Sequence, residues 1–260
     1  MGTLYLLSVE EMALSLTLLG HEEMARALML LHFGELSETA SKARLTAAAH
    51  SLIARDLGTF SFSTGELSLS EPFQQVLKIV TAPDYSIRFS RVREGEDIQQ
   101  VYHWRGEEVV LQQVKSGVAY LLQQEREPQA THMLLTHGTD LFHLQEEGEA
   151  TEIEMSLETF NHLTRPPTDA PSRGATPPVT SHDPQLVQDL AAPPFRGSVL
   201  RIEYKENQPV SDYGFLVIGG ERTIWLCRLL PQEQKVVIRS GLVRHFREEI
   251  ELLRAREYRL

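Results

Sequence analysis

Histidine is the residue type that most invites a search for chemistry, because the chain has ten of them. His132, His137 and His143 lie near Asp140, and imidazole and carboxylate groups are the usual zinc ligands. The sequence predicts these histidines on separate strands, where two of them would be able to meet. A zinc site also needs a closed ligand set with supporting hydrogen bonds, and the His-Glu-x-x-His motif does not occur. Surface or half-buried strand histidines are therefore the preferred interpretation, and no metal site is predicted.

Motifs for nucleophilic catalysis and phosphate binding are missing from the sequence. No G-x-S-x-G, G-x-x-x-x-G-K-[ST] or G-x-G-x-x-G occurs, and Gly219-Gly220-Glu221 has no lysine or hydroxyl where a phosphate would need them. The sequence therefore predicts a protein without catalytic residues or a cofactor. An unrecognised hydrolase or nucleotide-binding enzyme is kept as a lesser alternative.

The one cysteine, Cys227, excludes an internal disulfide and any multi-cysteine metal site. Strand alternation places it on one face with Trp225 and Leu229, so an inert core thiol is preferred over a reactive one.

Aromatic residues offer the remaining candidates for function. Tyr102 and Trp104 share one strand face, and they are either core residues or part of an exposed patch that docks a partner. Together with Trp225 they are the predicted partner-binding residues.

The first 83 residues are predicted to form a helical, winged-helix-like region. Ser8 and Ser37 are predicted N-caps, and the four helices begin after Ser8, at His21, after Ser37 and near Ser70. Alternating apolar residues over 59–70 predict a hairpin between the third and fourth helices. Helix, hairpin and helix follow one another as in winged-helix proteins.

The rest of the chain is predicted to form two α+β halves, residues 84–164 and 198–260. Residues 165–197 hold 8 of the 13 prolines and are predicted to be an extended linker with a short helix at 184–190. In the first half, strands are predicted at 87–89, 101–104, 109–114, 118–122, 133–135, 141–144 and 151–155, with a helix after Ser156. In the second half, they are predicted at 199–204, 215–218, 223–229 and 235–238, with a helix capped by Ser240.

The two halves contain a similar sequence pattern, an internal echo. Residues 132–156 and 215–240 each contain two apolar runs around a glycine, then a third apolar run, a serine and a helix. A short β-meander gives the same pattern by chance, so duplication stays one of two interpretations. The predicted fold class is α+β, an antiparallel sheet with N-terminal helices and a C-terminal helix, quasi-twofold if the echo is a duplication.

Charge bears on the class of partner. The formal net charge is −11, and residues 81–164 alone hold 15 acidic and 6 basic residues. Acidic surfaces repel phosphate backbones, so nucleic acid is an unlikely partner. A winged-helix transcriptional regulator stays the alternative function, although Lys42, Arg44 and Arg55 are few basic residues for anchoring DNA.

The longest apolar stretch, near Met24–Phe33, is shorter than a membrane span requires, and no secretory leader is visible. A cytoplasmic protein is expected. The oligomeric state is left open.

Several short motifs resemble the EspG-type proteins of ESX (type VII) secretion. The matching segments are Leu7–Glu11, Leu18–Gly20, the helix end Ala54–Gly58, Ala82-Pro83 before the strand of Ile87 and Phe89, and the late glycine hairpin with its following strand and helix. The sequence departs from that family in the proline-rich linker, which replaces expected helices, and in the late hairpin, where the family's glycine-arginine is not closely matched.

The resemblance implies a quasi-twofold α+β fold with a central antiparallel sheet. It also implies a cytosolic secretion chaperone or adaptor that binds a helical partner protein and keeps its apolar tip soluble. No individual binding residue is carried over from the family.

Overall fold

The structure is a computed structural model that describes residues 2–93, 96–115, 117, 119–164, 184–205 and 208–255. Most of the predicted linker, residues 165–183, lies outside this set. The chain divides into two compact units, Met1–Ser86 with Gln100–Ala130, and Ile87–Gln99 with Thr131–Leu260. These units differ from the domain boundaries predicted above, which stay a prediction.

The first unit packs helices on an antiparallel sheet. Its elements are β1 (Thr3–Ser8), α1 (Val9–Leu18), α2 (Glu22–Phe33), α3 (Glu38–Ala54), β2 (Gly58–Ser61), β3 (Glu66–Leu69), α4 (Glu71–Thr81), most of β5 (Glu96–Arg105), β6 (Glu108–Lys115) and β7 (Ala119–Arg126). The strand order is β1-β7-β6-β5, with β2 and β3 forming a separate hairpin. Helix α4 packs against β6, and α1 packs against α2 and α3.

The cap predicted at Ser8 is confirmed. The Ser8 hydroxyl accepts from the Glu11 N–H and the Glu11 carboxylate accepts from the Ser8 N–H, which is a capping box. The strand β1 that leads into this helix is an element that the sequence pattern did not predict.

The second unit is built around a longer antiparallel sheet. Its elements are most of β4 (Tyr85–Arg93), most of α5 (Glu127–Phe142), β8 (Glu152–Ser156), α6 (Leu157–Thr164), α7 (Pro184–Ala191), β9 (Phe195–Lys205), β10 (Gln208–Gly219), β11 (Ile224–Leu230), β12 (Lys235–Ser240) and α8 (Val243–Ala255). The strand order is β4-β9-β10-β11-β12-β8. The predicted α+β class, with antiparallel strands, N-terminal helices and a C-terminal helix, is confirmed.

The order of elements repeats along the chain. A strand, helices, four consecutive strands called the meander, and a helix occur first as β1 to α5 and again as β8 to α8; the first stretch also carries the β2–β3 hairpin between α3 and α4. The opening strand pairs with the last meander strand each time, β1 with β7 and β8 with β12.

A buried arginine on the first meander strand supports each repeat in the same way. Arg91 donates to the Leu141 carbonyl near the end of α5, and Arg201 donates to the Leu253 and Arg254 carbonyls at the end of α8. Each guanidinium satisfies carbonyls that a helix end leaves without partners.

The internal repeat predicted from the sequence used the wrong segment, because residues 133–135 and 141–142 lie in helix α5 and residues 143–144 directly follow it. Gly138 and several threonines weaken the helical pattern there. Packing fixes the helix instead: a Cβ at Gly138 would lie 2.3 Å from the Phe246 ring, so only glycine lets α5 approach that side chain.

Two further predictions about the second half are wrong in detail. The sequence predicts a tight hairpin at Gly219 and Gly220 because glycine adopts positive φ without strain, but neither residue has positive φ. They are required for space, since a Cβ at Gly220 would overlap the Asp189 carboxylate. Ser240 does not cap α8, because it is the last residue of β12 and the helix begins at Val243.

Candidate partner-binding groove

An open apolar groove of about 1320 Å³ lies in the first unit, between α3, the end of α1 and the β2–β3 hairpin. Its apolar lining residues are Leu14, Leu18, Leu36, Leu45, Ala49, Ile53, Phe60, Phe62 and Leu67. Polar side chains border it, including Glu38, Lys42, His50 and Asp56.

One long side of the groove is a single face of α3. Leu45, Ala49 and Ile53 recur at helical spacing along it. Lining residues run from Glu38 to Ile53, which corresponds to about 22 Å of helix at 1.5 Å per residue. The adjacent face of α3 carries Ala48 and Leu52, which are buried in the core.

Two features fix the ends of α3. The Ser37 hydroxyl accepts from the Ala40 N–H at 3.2 Å and begins the helix. At the other end Asp56 has φ 56°, a left-handed conformation that aspartate tolerates, and the chain turns directly into β2.

A buried carboxylate holds α3 against α1. Glu11 on α1 accepts from the Ser51 hydroxyl at 2.6 Å and from Arg55 Nη1 at 2.9 Å. Arg55 Nη2 also donates to the Leu6 carbonyl at 2.6 Å. These bonds cross-link α1, α3 and β1, so the wall of the groove is anchored.

The rim of the groove carries two exposed aromatic rings. Phe62 is 94% exposed and Phe60 is 40% exposed. Their rings meet edge to face with centroids 5.3 Å apart. Large exposed aromatic side chains next to an apolar groove are typical of a protein interface.

Exposed apolar side chains concentrate in the first unit. Among the described residues, the large exposed ones there are Leu4, Leu6, Leu18, Met24, Leu30, Leu31, Phe60, Phe62 and Val114. Those of the second unit are Val92 and Tyr204. Interaction surface is therefore available mainly on the first unit.

The three residues predicted as partner anchors lie in the core. Tyr102, Trp104 and Trp225 are 0%, 1% and 3% exposed. Tyr102 and Trp104 pack against each other with ring centroids 5.9 Å apart, and Trp225 donates to Asp189 at 2.9 Å. The core alternative fits this burial, and the anchor role stays an untested prediction.

The residues that line the groove were not singled out from the sequence. The hairpin at 59–70 was predicted correctly, but the alternation that predicts it does not distinguish Phe60 and Phe62 from buried strand residues. The available signal was the short Ser-Phe-Ser-Thr-Gly run, which ends the strand beside Phe62 at a glycine turn.

An array of Ser, His and Gln side chains is spaced like a catalytic triad, but its serine and histidine are buried away from solvent. Ser86 Oγ lies 2.9 Å from His103 Nδ1, and His103 Nε2 lies 3.0 Å from Gln112 Oε1. Burial lowers the pKa of His103 to about 4, so the ring is neutral near pH 7. Ser86 is fully buried and outside the groove lining, so the array stabilises the core and does not meet substrate.

The histidine and cysteine candidates do not form a reactive site. His132 and His137 lie in α5 and His143 directly follows it; within the described residues, no three His, Cys, Asp or Glu side chains are placed to hold a metal. Cys227 is buried, and burial raises the pKa of its thiol, as expected for an inert core residue. Of the helices that the structure describes, none has the length and apolar composition needed to span a membrane.

Most of the chain matches one known protein family. The family model described as Uncharacterised protein YfjC matches residues 4–241. The chain belongs to this family. No curated protein matches its sequence.

A solved structure shares the fold of this YfjC-family chain. It is the Mycobacterium tuberculosis type VII secretion system chaperone EspG5 in complex with the PE25–PPE41 dimer. The TM-score is 0.63, the sequence identity is 10%, and the match covers 96% of this chain and 95% of that chain. The resemblance found in the sequence motifs is thereby confirmed at the level of the fold.

Proposed function

We propose that this protein is a non-catalytic, cytoplasmic chaperone or adaptor of the kind used in type VII secretion. It binds an apolar helix of a partner protein in the groove between α3 and the β2–β3 hairpin. The observation that carries the proposal is the open apolar groove with Phe62 almost fully exposed on its rim.

The shape of the groove supports a helical occupant. A wall of about 22 Å matches a partner helix of about four turns. Such a helix would place apolar side chains at i, i+4, i+7 and i+11 against Leu45, Ala49 and Ile53. Burying those side chains removes apolar surface from water, which drives binding without any reacting group.

The shared fold gives a second line of support. The EspG5 structure is that of a chaperone bound to a protein dimer, and the match covers 95% of its chain. We transfer the class of activity, protein binding by a chaperone, and leave the partner to experiment.

The winged-helix alternative requires free basic residues to contact DNA, and two of the three candidates form ion pairs within the protein. Arg44 is paired with Glu10 at 2.7 Å and its guanidinium lies over the Phe33 ring at 4.2 Å. Arg55 is paired with Glu11. Both side chains are exposed, at 42% and 39%, but a phosphate backbone would have to compete with Glu10 and Glu11 for them, and Lys42 is the third basic residue of this segment.

Site-specific photocrosslinking tests the proposal. A photoreactive phenylalanine analogue replaces Phe62 in the full chain, expressed in its native cells, and a matched chain carries it at Val92, which is exposed in the second unit. We expect a protein adduct at position 62 that is absent at position 92. Equal labelling at both positions would contradict the groove as the site, and a DNA adduct at 62 would favour the regulator.

The captured protein then allows a quantitative test. Phe62→Asp is expected to weaken its binding at least about tenfold, because the aspartate would have to be desolvated at the interface. Val92→Asp is the control and is expected to leave the affinity unchanged.

A further inference from the structure

The two terminal strands of the sheets differ in charge. Strand β8 carries Glu152 and Glu154, which pair across the ladder with Arg239 and Lys235. Strand β1, Thr3–Ser8, carries no charged residue. Charges on an edge strand discourage pairing with another chain, so β8 is protected in a way that β1 is not.

Strand β1 also offers unpaired backbone groups. It pairs with β7 on one side and is the end of the strand order among the described residues. The Leu6 carbonyl accepts from Arg55 and therefore points away from β7. Because backbone direction alternates along a strand, the N–H and C=O of Leu4 point the same way.

Apolar side chains flank this free edge. Leu4 is 58% exposed and Leu6 is 52% exposed, and alternation puts both on one face of the sheet. Tyr5 and Leu7 point to the opposite face and are buried. The edge thus combines free hydrogen-bonding groups with a small apolar surface.

We propose that the free edge of β1 pairs antiparallel with β1 of a second copy of this chain, with Leu4 opposite Leu4 on the twofold axis. Pairing identical strands brings no like charges together at β1, although the chain has a net charge of −11. The same arrangement at β8 would bring glutamates of two copies together.

The internal hydrogen bonds select this register. Centring the twofold on Leu6 or Tyr5 requires the Leu6 carbonyl, which is already bound to Arg55. Centring it on Thr3 requires the Gly2 N–H, which donates to Glu125 at 3.1 Å. Centring it on Leu4 pairs the outward-facing Leu4 N–H and C=O with those of the second copy, and the Leu6 N–H with the Gly2 C=O. The Leu6 C=O and the Gly2 N–H, which would also face each other, keep their bonds to Arg55 and Glu125.

The centred register also suits the side chains. Leu6 would face Gly2 of the second copy, which adds no side chain to this pair. The leucines at positions 4 and 6 of both copies would form one apolar cluster. Two such short strands bury less area than a stable interface, so we expect a dissociation constant in the micromolar range.

Sedimentation velocity and cysteine crosslinking on the full chain test the proposal. We expect a monomer–dimer equilibrium between about 1 µM and about 200 µM. Leu4→Cys is expected to form a disulfide-linked dimer, because paired strand residues lie about 5.5 Å apart at Cα, within disulfide reach. Leu6→Cys is the matched control and is expected not to crosslink, since its two copies would lie about 13 Å apart.

Three results would overturn the proposal. A monomer across the whole concentration range excludes pairing. A dimer that fails to crosslink at Leu4→Cys uses another surface, and preferential crosslinking at Leu6→Cys shows another register. Wild-type chain should give no crosslink because Cys227 is buried. Leu4→Lys, on an exposed position, should keep the circular dichroism spectrum and weaken dimerisation at least tenfold.

Discussion

The two units treat apolar surface differently. In the first, α3 and the β2–β3 hairpin leave a groove open, with Phe62 exposed on its rim. In the second, α6 and α7 cover the sheet, and Phe160, Leu186 and Leu190 are buried against Trp225 and Cys227.

The buried carboxylate of Asp189 holds one of these covering helices in place. Asp189 on α7 accepts from Trp225 Nε1 at 2.9 Å, from Gln185 Nε2 at 2.9 Å and from the Glu221 N–H at 3.2 Å. Helix α7 is thereby fastened to the β10–β11 turn. The two stretches share an order of elements but differ in the segment that follows the opening strand. In the first stretch that segment includes α3 and the β2–β3 hairpin, which leave a groove open, and in the second it is α6 and α7, which cover the sheet.

The largest expected effect is on the stability of the second unit, where helices cover the sheet. Trp225→Ala should lower the free energy of unfolding by about 3–5 kcal/mol, since it removes a large core side chain. Urea denaturation measures the change. Loss of partner binding with near-normal stability would instead support the anchor role predicted for Trp225 from the sequence.

A pH titration tests whether the first unit is firmly packed beneath its open groove. The pKa of His103 is lowered by burial to about 4, from an ordinary value near 6.5. The folded state therefore binds this proton less readily than the unfolded state. The contribution, about 3 kcal/mol, is present above pH 6.5 and is lost as pH falls towards 4.

NMR titration of the His103 ring measures this directly. The ring should stay neutral down to about pH 5. Protonation near pH 6.5 would show that water reaches the interior of the first unit and would weaken the contrast between the units.

Removing the Asp189 carboxylate should lower the free energy of unfolding by a smaller amount. Asp189→Ala leaves the Trp225 and Glu221 N–H groups without their partner, and we expect a loss of about 2 kcal/mol. Thermal or urea unfolding measures it, with Asp189→Asn as the milder control. An unchanged stability would mean that α7 is held by apolar packing alone.

The smallest expected effect on stability is at the groove. Phe62→Asp should change the free energy of unfolding by less than about 0.5 kcal/mol, because the ring is almost fully exposed. The same urea experiment measures it. A loss above about 2 kcal/mol would show that Phe62 serves folding and not recognition.

Local patterns predicted much of the fold. The caps at Ser8 and Ser37 and the alternating hairpin at 59–70 depend on neighbouring residues, so the sequence predicted them. Helix α5 was missed because packing of Gly138 against Phe246 decides it, and that contact joins residues far apart in the chain.

The site was harder to predict than the fold. Large aromatic residues at strand positions read equally well as core or as interface, and Tyr102, Trp104 and Trp225 proved to be buried. Phe62 is exposed because the chain turns at Gly65 and no helix that the structure describes in the first unit covers the hairpin tip. Which surface stays uncovered depends on tertiary packing and not on local pattern.

Hydrogen–deuterium exchange on the complex tests the central claim most directly. The full chain is compared with and without the partner captured at position 62, and exchange is read at α3, the β2–β3 hairpin, α6 and α7. We predict added protection over α3 and the hairpin, with α6 and α7 unchanged. Protection of α6 and α7 with no change at α3 would contradict the account.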